Sequence, residues 1–157
     1  MTVAPSSGKP DTRAAVLDAA RGWLGTPYRH QASLKGVGAD CLGLLRGVWR
    51  EVMGTEPEAP GPYTPHWAET GRRERMLEAA SRHLEPIAAE AALPGDVLIF
   101  RVRPRGLAKH LGILSATPLA EGRLIHAYSG HAVCETALGP FWIRRIAGAF
   151  RFPTGDT

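Results

Sequence analysis

Apolar positions recur at helical spacing in the first half of the chain and at strand spacing in the second. Asp11 or Thr12 reads as an N-cap, Val16, Ala19, Ala20, Trp23 and Leu24 follow on one face, and Gly25 supplies a stop. A second helix is predicted from about Cys41 to Met53, with Leu44, Leu45, Val48, Trp49 and Val52 as a broad apolar stripe and Gly54 at its end. A third, on a strongly charged segment, is predicted from about Gly71 to Leu84, where Met76, Leu77 and Ala80 give a narrower stripe.

After Leu93-Pro94-Gly95-Asp96 the pattern changes to strand-like runs: Val97 to Val102, His110 to Ser115, Leu124 to Ser129, Ala132 to Thr136 and Ile143 to Phe152. Turn residues separate them, among them Arg103-Pro104-Arg105-Gly106, Thr117-Pro118 and Ser129-Gly130. Helices first and short strands second predict an α+β fold, with N-terminal helices packed on one side of a C-terminal antiparallel sheet of about five strands. Residues 1–10 are small, polar and proline-containing and read as a flexible arm, and residues 11–157 as a single domain. Thr26 to Ala39 reads as a loop over a site. Thr55 to His66 reads as a proline-rich surface excursion rather than a domain boundary.

Composition narrows the classes. A chain of 157 residues can bury a continuous core without disulfides or metal, and its two cysteines, Cys41 and Cys134, make no disulfide framework. A net charge of +4 without a concentrated basic run argues against nucleic acid as partner and suits a carboxylate-bearing substrate. No run is long enough for membrane insertion, and the first residues hold no hydrophobic signal core, so the expectation is synthesis in the cytoplasm and delivery by another vehicle.

The chemistry centres on Cys41, placed where a glycine-rich loop becomes a helix. Unpaired backbone N–H groups and the positive end of the helix dipole favour a thiolate there. Its own backbone N–H points to where an oxyanion would form. His110, on a strand with Gly112 and Leu114 on the same face, is the candidate base, and His126 the candidate orienting group, accepting a hydrogen bond from His110. Gly112 would leave room for a helix end or a substrate. A metal reading competes: His126, His131 and Cys134, with Cys41 as a fourth ligand, are the residue types zinc accepts, but no CxxC knuckle supports it and no metal or cofactor is expected. Cys134 is then a core-facing strand residue.

Five ordered blocks resemble the NlpC family of papain-like cell-wall cysteine peptidases: Trp23-Leu24-Gly25-Thr26-Pro27-Tyr28, Asp40-Cys41-Leu42-Gly43-Leu44, Leu93-Pro94-Gly95-Asp96-Val97, His110-Leu111-Gly112-Ile113 and Leu124-Ile125-His126-Ala127. The resemblance runs from about Ala15 to Phe152. It implies Cys41 as nucleophile, His110 as base and His126 as third polar residue, and it nominates Tyr28 as a hydroxyl beside the nucleophile. Asp40 joins Tyr28 as a candidate for substrate binding or the oxyanion. The family often has two glycines where this chain has Arg29-His30-Gln31, and serine where it has Leu42, which leaves specificity open. The Arg29-His30-Gln31-Ala32-Ser33 loop is similar to that of signal-less members carried by phage tails and gene transfer agents. That implies tail baseplate or hub proteins as partners and action in the wall or periplasm of a target cell.

The implied substrate is a peptidoglycan stem peptide, cut between D-glutamate and a diamino acid, with carboxylates on both sides of the bond. Arg101, Arg103, Arg105 and Lys109 stand just before the candidate base with no acid among them, and Arg103 and Arg105 are candidates to bind those carboxylates. Two other readings stay open: acyl transfer or amidase action on the same fold, and a structural tail component without turnover. Pro57 to Pro65 and the third helix are candidates for docking or for covering the groove.

Overall fold

A computed structural model describes residues 12–58 and 74–154. The expected arm and most of the proline-rich excursion lie outside the described residues. Helix α1 spans Thr12–Gly22 and buries Val16 and Ala20, and Trp23 follows it into the core. It ends at Gly22, three residues before the expected stop, and the chain turns at Gly25 with φ +87°, a backbone conformation that favours glycine. A short antiparallel pair, β1 (Ser33–Leu34) and β2 (Gly38–Ala39), lies within the loop that follows.

Helix α2 spans Cys41–Val52. Asp40 caps it, its carboxylate accepting the Gly43 N–H at 2.7 Å, and Leu44 and Val48 are fully buried. Leu45, Trp49 and Val52 pack against the same core from partly buried positions, so the stripe read from the sequence is the packed face. Gly47 is required by its neighbour: a Cβ there would run into the Trp23 ring, which joins α1 to α2.

Helix α3 spans Arg75–His83, within the predicted range, and buries Met76 and Ala80. The remaining strands are β3 (Glu85–Ile87), β4 (Val97–Phe100), β5 (His110–Ala116), β6 (Arg123–His126), β7 (Cys134–Ala137) and β8 (Ile146–Arg151). Helix α4 (Gly139–Ile143) precedes β8. The sheet has six strands in the order β3-β8-β4-β5-β6-β7, every pair antiparallel. β4 to β7 form a meander, and β8 returns to pair with β4.

The α+β class expected from the sequence is the observed one, with three differences. β3 adds a sixth strand. The run from Ile143 begins as the end of α4, because Gly139 turns at φ +65° and Pro140 starts a helical turn. The sheet is covered on both faces rather than one. Val97, Ile99, Leu111, Ile113 and Ile125 pack under α1, α2 and α3, while Leu98, Phe100, Leu114 and Leu124 pack against Leu138, Trp142 and Ile143. Two-sided burial explains why β4 reads Val-Leu-Ile-Phe without alternation.

Candidate active site

His110 is the first residue of β5 and His126 the last of β6. Because these strands are antiparallel neighbours, both histidines stand at the same end of the sheet. The start of α2 is brought to that end: Cys41 Sγ lies 3.8 Å from the carbonyl of Lys109, the peptide that leads into His110. Pairing of Ile113 with Ile125 and of Leu114 with Leu124 fixes the register that delivers one ring to the other.

The two rings meet directly. His110 Nε2 and His126 Nδ1 are 2.9 Å apart, and both residues are buried, at 5% and 4% exposure. His126 Nε2 is in turn 2.9 Å from Thr136 Oγ1 on β7. With Nε2 of His110 taken by His126, the ring nitrogen that remains is Nδ1. Trp142 of α4 packs on both histidines, with ring centroids 4.9 Å from His110 and 5.7 Å from His126. Tyr128 stands edge-on to His110 at 5.4 Å.

Burial sets the protonation of this group. It lowers the His110 pKa to about 3, with the charge of His126 acting the same way, and lowers that of His126 to about 4, with His131 adding to the effect. Burial, followed by the negative charge of Asp40, pushes the Cys41 thiol up to about 12; the backbone N–H groups of Leu111, Leu42 and Cys41 pull the other way. Burial thus acts on this sulfur in the direction opposite to the helix start. Desolvation favours the neutral thiol and the neutral imidazole, against the backbone N–H groups that favour the charged sulfur.

Tyr28 bridges to Ala39 beside α2, and its pKa is raised by burial, then by Cys41 and Asp40, so its hydroxyl keeps its proton near the sulfur. Asp40 accepts the backbone N–H of Gln31 at 2.8 Å as well as that of Gly43. A carboxylate that only accepts hydrogen bonds cannot donate to an oxyanion, so that assignment gives way to capping. Gln31 has φ +64°, the left-handed conformation that glycine adopts at no cost. Its bond to Asp40 holds it there.

Gly112 admits neither a helix end nor a substrate. A Cβ on it would lie 2.7 Å from the Leu124 side chain, which fills the space. Arg103 and Arg105 are exposed on the loop before β5, whereas Arg101 is committed to Glu74, at 3.0 Å. Glu74 also accepts the Ala108 N–H at 3.1 Å, so the loop read as acid-free is tied down by an acid from the start of α3. Cys134, expected in the core, is half-buried, because β7 is an edge strand. Both cysteines are free. His131 stacks on Tyr128 rather than joining Cys134, and among the described residues no three His, Cys, Asp or Glu side chains are grouped as metal ligands. No helix among the described residues is long and apolar enough to cross a membrane.

Thr136, Trp142 and Glu74 were not singled out from the sequence. Only the register of β6 with β7 and the short helix α4 reveal the first two.

The murein DD-endopeptidase MepH of Escherichia coli is 26% identical over 136 residues, covering 85% of this chain and 44% of that protein. The chain thus spans less than half the length of this curated relative. An NlpC/P60 family protein from Bacillus cereus has a similar structure, with a TM-score of 0.65 at 22% identity over 92% of this chain and 41% of its own. NlpC1 from Trichomonas vaginalis gives 0.62 at 21%, over 94% and 46%. At those identities the likeness concerns the fold. The model of the NlpC/P60 family matches residues 25–151, and the chain belongs to that family.

Proposed function

We propose that this chain is a cysteine endopeptidase that hydrolyses an amide bond in the stem peptide of peptidoglycan, with Cys41 as nucleophile, His110 as base and His126 as the group that orients it. One observation carries the reading: the buried 2.9 Å contact between His110 Nε2 and His126 Nδ1, beside a thiol held against the Lys109 carbonyl at the start of α2. Family membership and the murein relative support the substrate class.

The Cys41 thiol gives its proton to His110 Nδ1 as sulfur attacks the carbonyl carbon, and the electron pair of the C=O bond moves to oxygen. The Cys41 backbone N–H, in the first turn of α2, and the neutral Tyr28 hydroxyl are donors for that oxygen. Collapse of the intermediate expels the amine, which takes the proton from His110 and leaves an acyl group on sulfur. Water, deprotonated by His110, then releases the acid and restores the thiol. Because both partners rest neutral, the charged pair forms during attack, once substrate covers the site.

The bond cut is the one between D-glutamate and a diamino acid, as the resemblance implies. The name of the Escherichia coli relative favours a second reading, a bond between two D-residues. Mapping the muropeptides released from purified sacculi separates the two. The finer setting, a phage-like tail docked through baseplate or hub proteins and acting in the wall or periplasm of a target cell, is supported by the Arg29-His30-Gln31-Ala32-Ser33 loop. Particles carrying Cys41→Ala should lose wall opening. On sacculi, Cys41→Ala should abolish release of new amino termini; unchanged release would remove Cys41 from the mechanism, and release only with an added acyl acceptor would favour a transferase.

A further inference from the structure

The chain of contacts does not end at His126. We propose that Thr136 is a positioning residue that fixes the tautomers of the histidine pair, by accepting a hydrogen bond from His126 Nε2. The inference rests on His110 as the base and asks what keeps its Nδ1 free of a proton.

Each imidazole in its neutral form carries one proton, so the 2.9 Å contacts at either side of His126 are coupled. If His126 donates from Nε2 to Thr136, its Nδ1 must accept from His110 Nε2–H. His110 Nδ1 is then a bare lone pair, ready for the thiol proton. If Thr136 instead donates to His126 Nε2, every proton shifts by one bond, His110 carries its proton on Nδ1, and it cannot act as a base. A hydroxyl permits either direction, so solvent access decides between them. His110 and His126 are buried beneath Trp142 and Tyr128, whereas Thr136 is half-buried on the edge strand β7. From that position Thr136 can give its own proton to solvent, which leaves a lone pair for His126.

Thr136 pairs with Leu124, and His126 with Cys134, so the hydroxyl reaches His126 along the diagonal of the β6–β7 ladder. Removing that acceptor leaves a buried N–H facing a methyl group. The pair then relieves the loss by moving the His126 proton to Nδ1, which places the His110 proton on the wrong nitrogen.

Thr136→Val keeps the β-branched shape of the strand and removes the hydroxyl, and Thr136→Ser keeps the hydroxyl. With a stem-peptide substrate, kcat of the valine variant should fall about tenfold or more with KM nearly unchanged, and serine should restore most of it. Nitrogen-15 NMR of the substrate-free protein should show His110 protonated at Nε2 in the parent and serine proteins and at Nδ1 in the valine protein. Identical tautomers in the parent and valine proteins, or a serine variant as impaired as valine, would overturn the proposal. The tautomers are read without turnover, so they test Thr136 separately from the Cys41→Ala experiment that tests the catalytic reading.

Discussion

The proposed nucleophile and the proposed base are held in different ways, and burial favours the neutral form of each. Cys41 is held through side chains that bind the backbone around it: the Asp40 carboxylate caps α2 and accepts the Gln31 N–H, and the Ser33 hydroxyl donates to the Gly43 carbonyl at 2.6 Å. His110 is held by side chains, with His126 in line, Trp142 and Tyr128 on its faces and the Glu74 clasp behind its loop. Burial raises the thiol and lowers the imidazoles. Low dielectric penalises whichever form is charged, so two groups of opposite type are both driven to neutrality. On that balance the free protein provides positioning, and the alkylation experiment below tests it against a standing ion pair.

The largest break in that symmetry is removal of the base. His110→Ala should lower kcat/KM on the order of 10³-fold, because the thiol then has no acceptor for its proton. His126→Ala, which leaves the base in place but unoriented, should cost on the order of 10²-fold. Equal losses would mean the two rings act as one unit. A His126 variant with parent activity would show that orientation comes from the aromatic neighbours alone.

Acid should destabilise the fold through the histidine pair. Both histidines are held below the ordinary 6.5, at about 3 and about 4, so between those values and 6.5 the unfolded chain binds more protons than the folded one. Their contribution is whole above pH 6.5 and is lost as pH falls. The loss is about 1.4 kcal/mol per pH unit for a histidine that protonates only on unfolding. Denaturant midpoints measured from pH 7 to pH 4 should therefore fall steadily in the parent and less steeply in a His110→Phe, His126→Leu double variant. Parallel slopes would show that the pair is not the source.

How much of this was legible in the chain follows from what each feature depends on. α1 and α2 were readable because their stripes are local, and their glycine stops, Gly25 and Gly54, adopt φ +87° and +97°. β3 was not: Glu85-Pro86-Ile87 is three residues long with a proline, a composition that suits an edge and reads as a break. α4 is five residues long, too short to show a helical period, and its apolar residues merged with the strand after it. In the site, His110 and His126 could be found because each lies in a recognisable strand-like run. Thr136 and Trp142 could not, since a threonine on a strand and a tryptophan on a short helix become partners of the histidines only through register and packing.

The thiol side makes a separate prediction. With Cys134→Ala as background, the rate of Cys41 alkylation should rise about tenfold per pH unit from pH 6 to pH 9 without a plateau, because a thiol pushed up to about 12 is almost wholly protonated throughout. A plateau between pH 5 and pH 8 would show a standing thiolate–imidazolium pair in place of two neutral groups.

The mildest perturbation tests the force that keeps the sulfur neutral beyond burial itself. Asp40→Asn removes the negative charge that raises the thiol while retaining a good capping residue for α2. A carboxylate accepts from both Gly43 and Gln31, whereas an amide offers one oxygen and turns a donor toward the second N–H. Two effects should then appear together. Alkylation of Cys41 at pH 8 should quicken about three- to tenfold, corresponding to a thiol lowered by about half to one unit, and stability should fall by about 1 kcal/mol as Gln31 loses its partner. Asp40→Ala removes charge and cap together, so it should share the faster alkylation and be less stable still. Unchanged alkylation in both variants would mean that Asp40 serves only to shape the loop, and that burial alone holds the proton on Cys41.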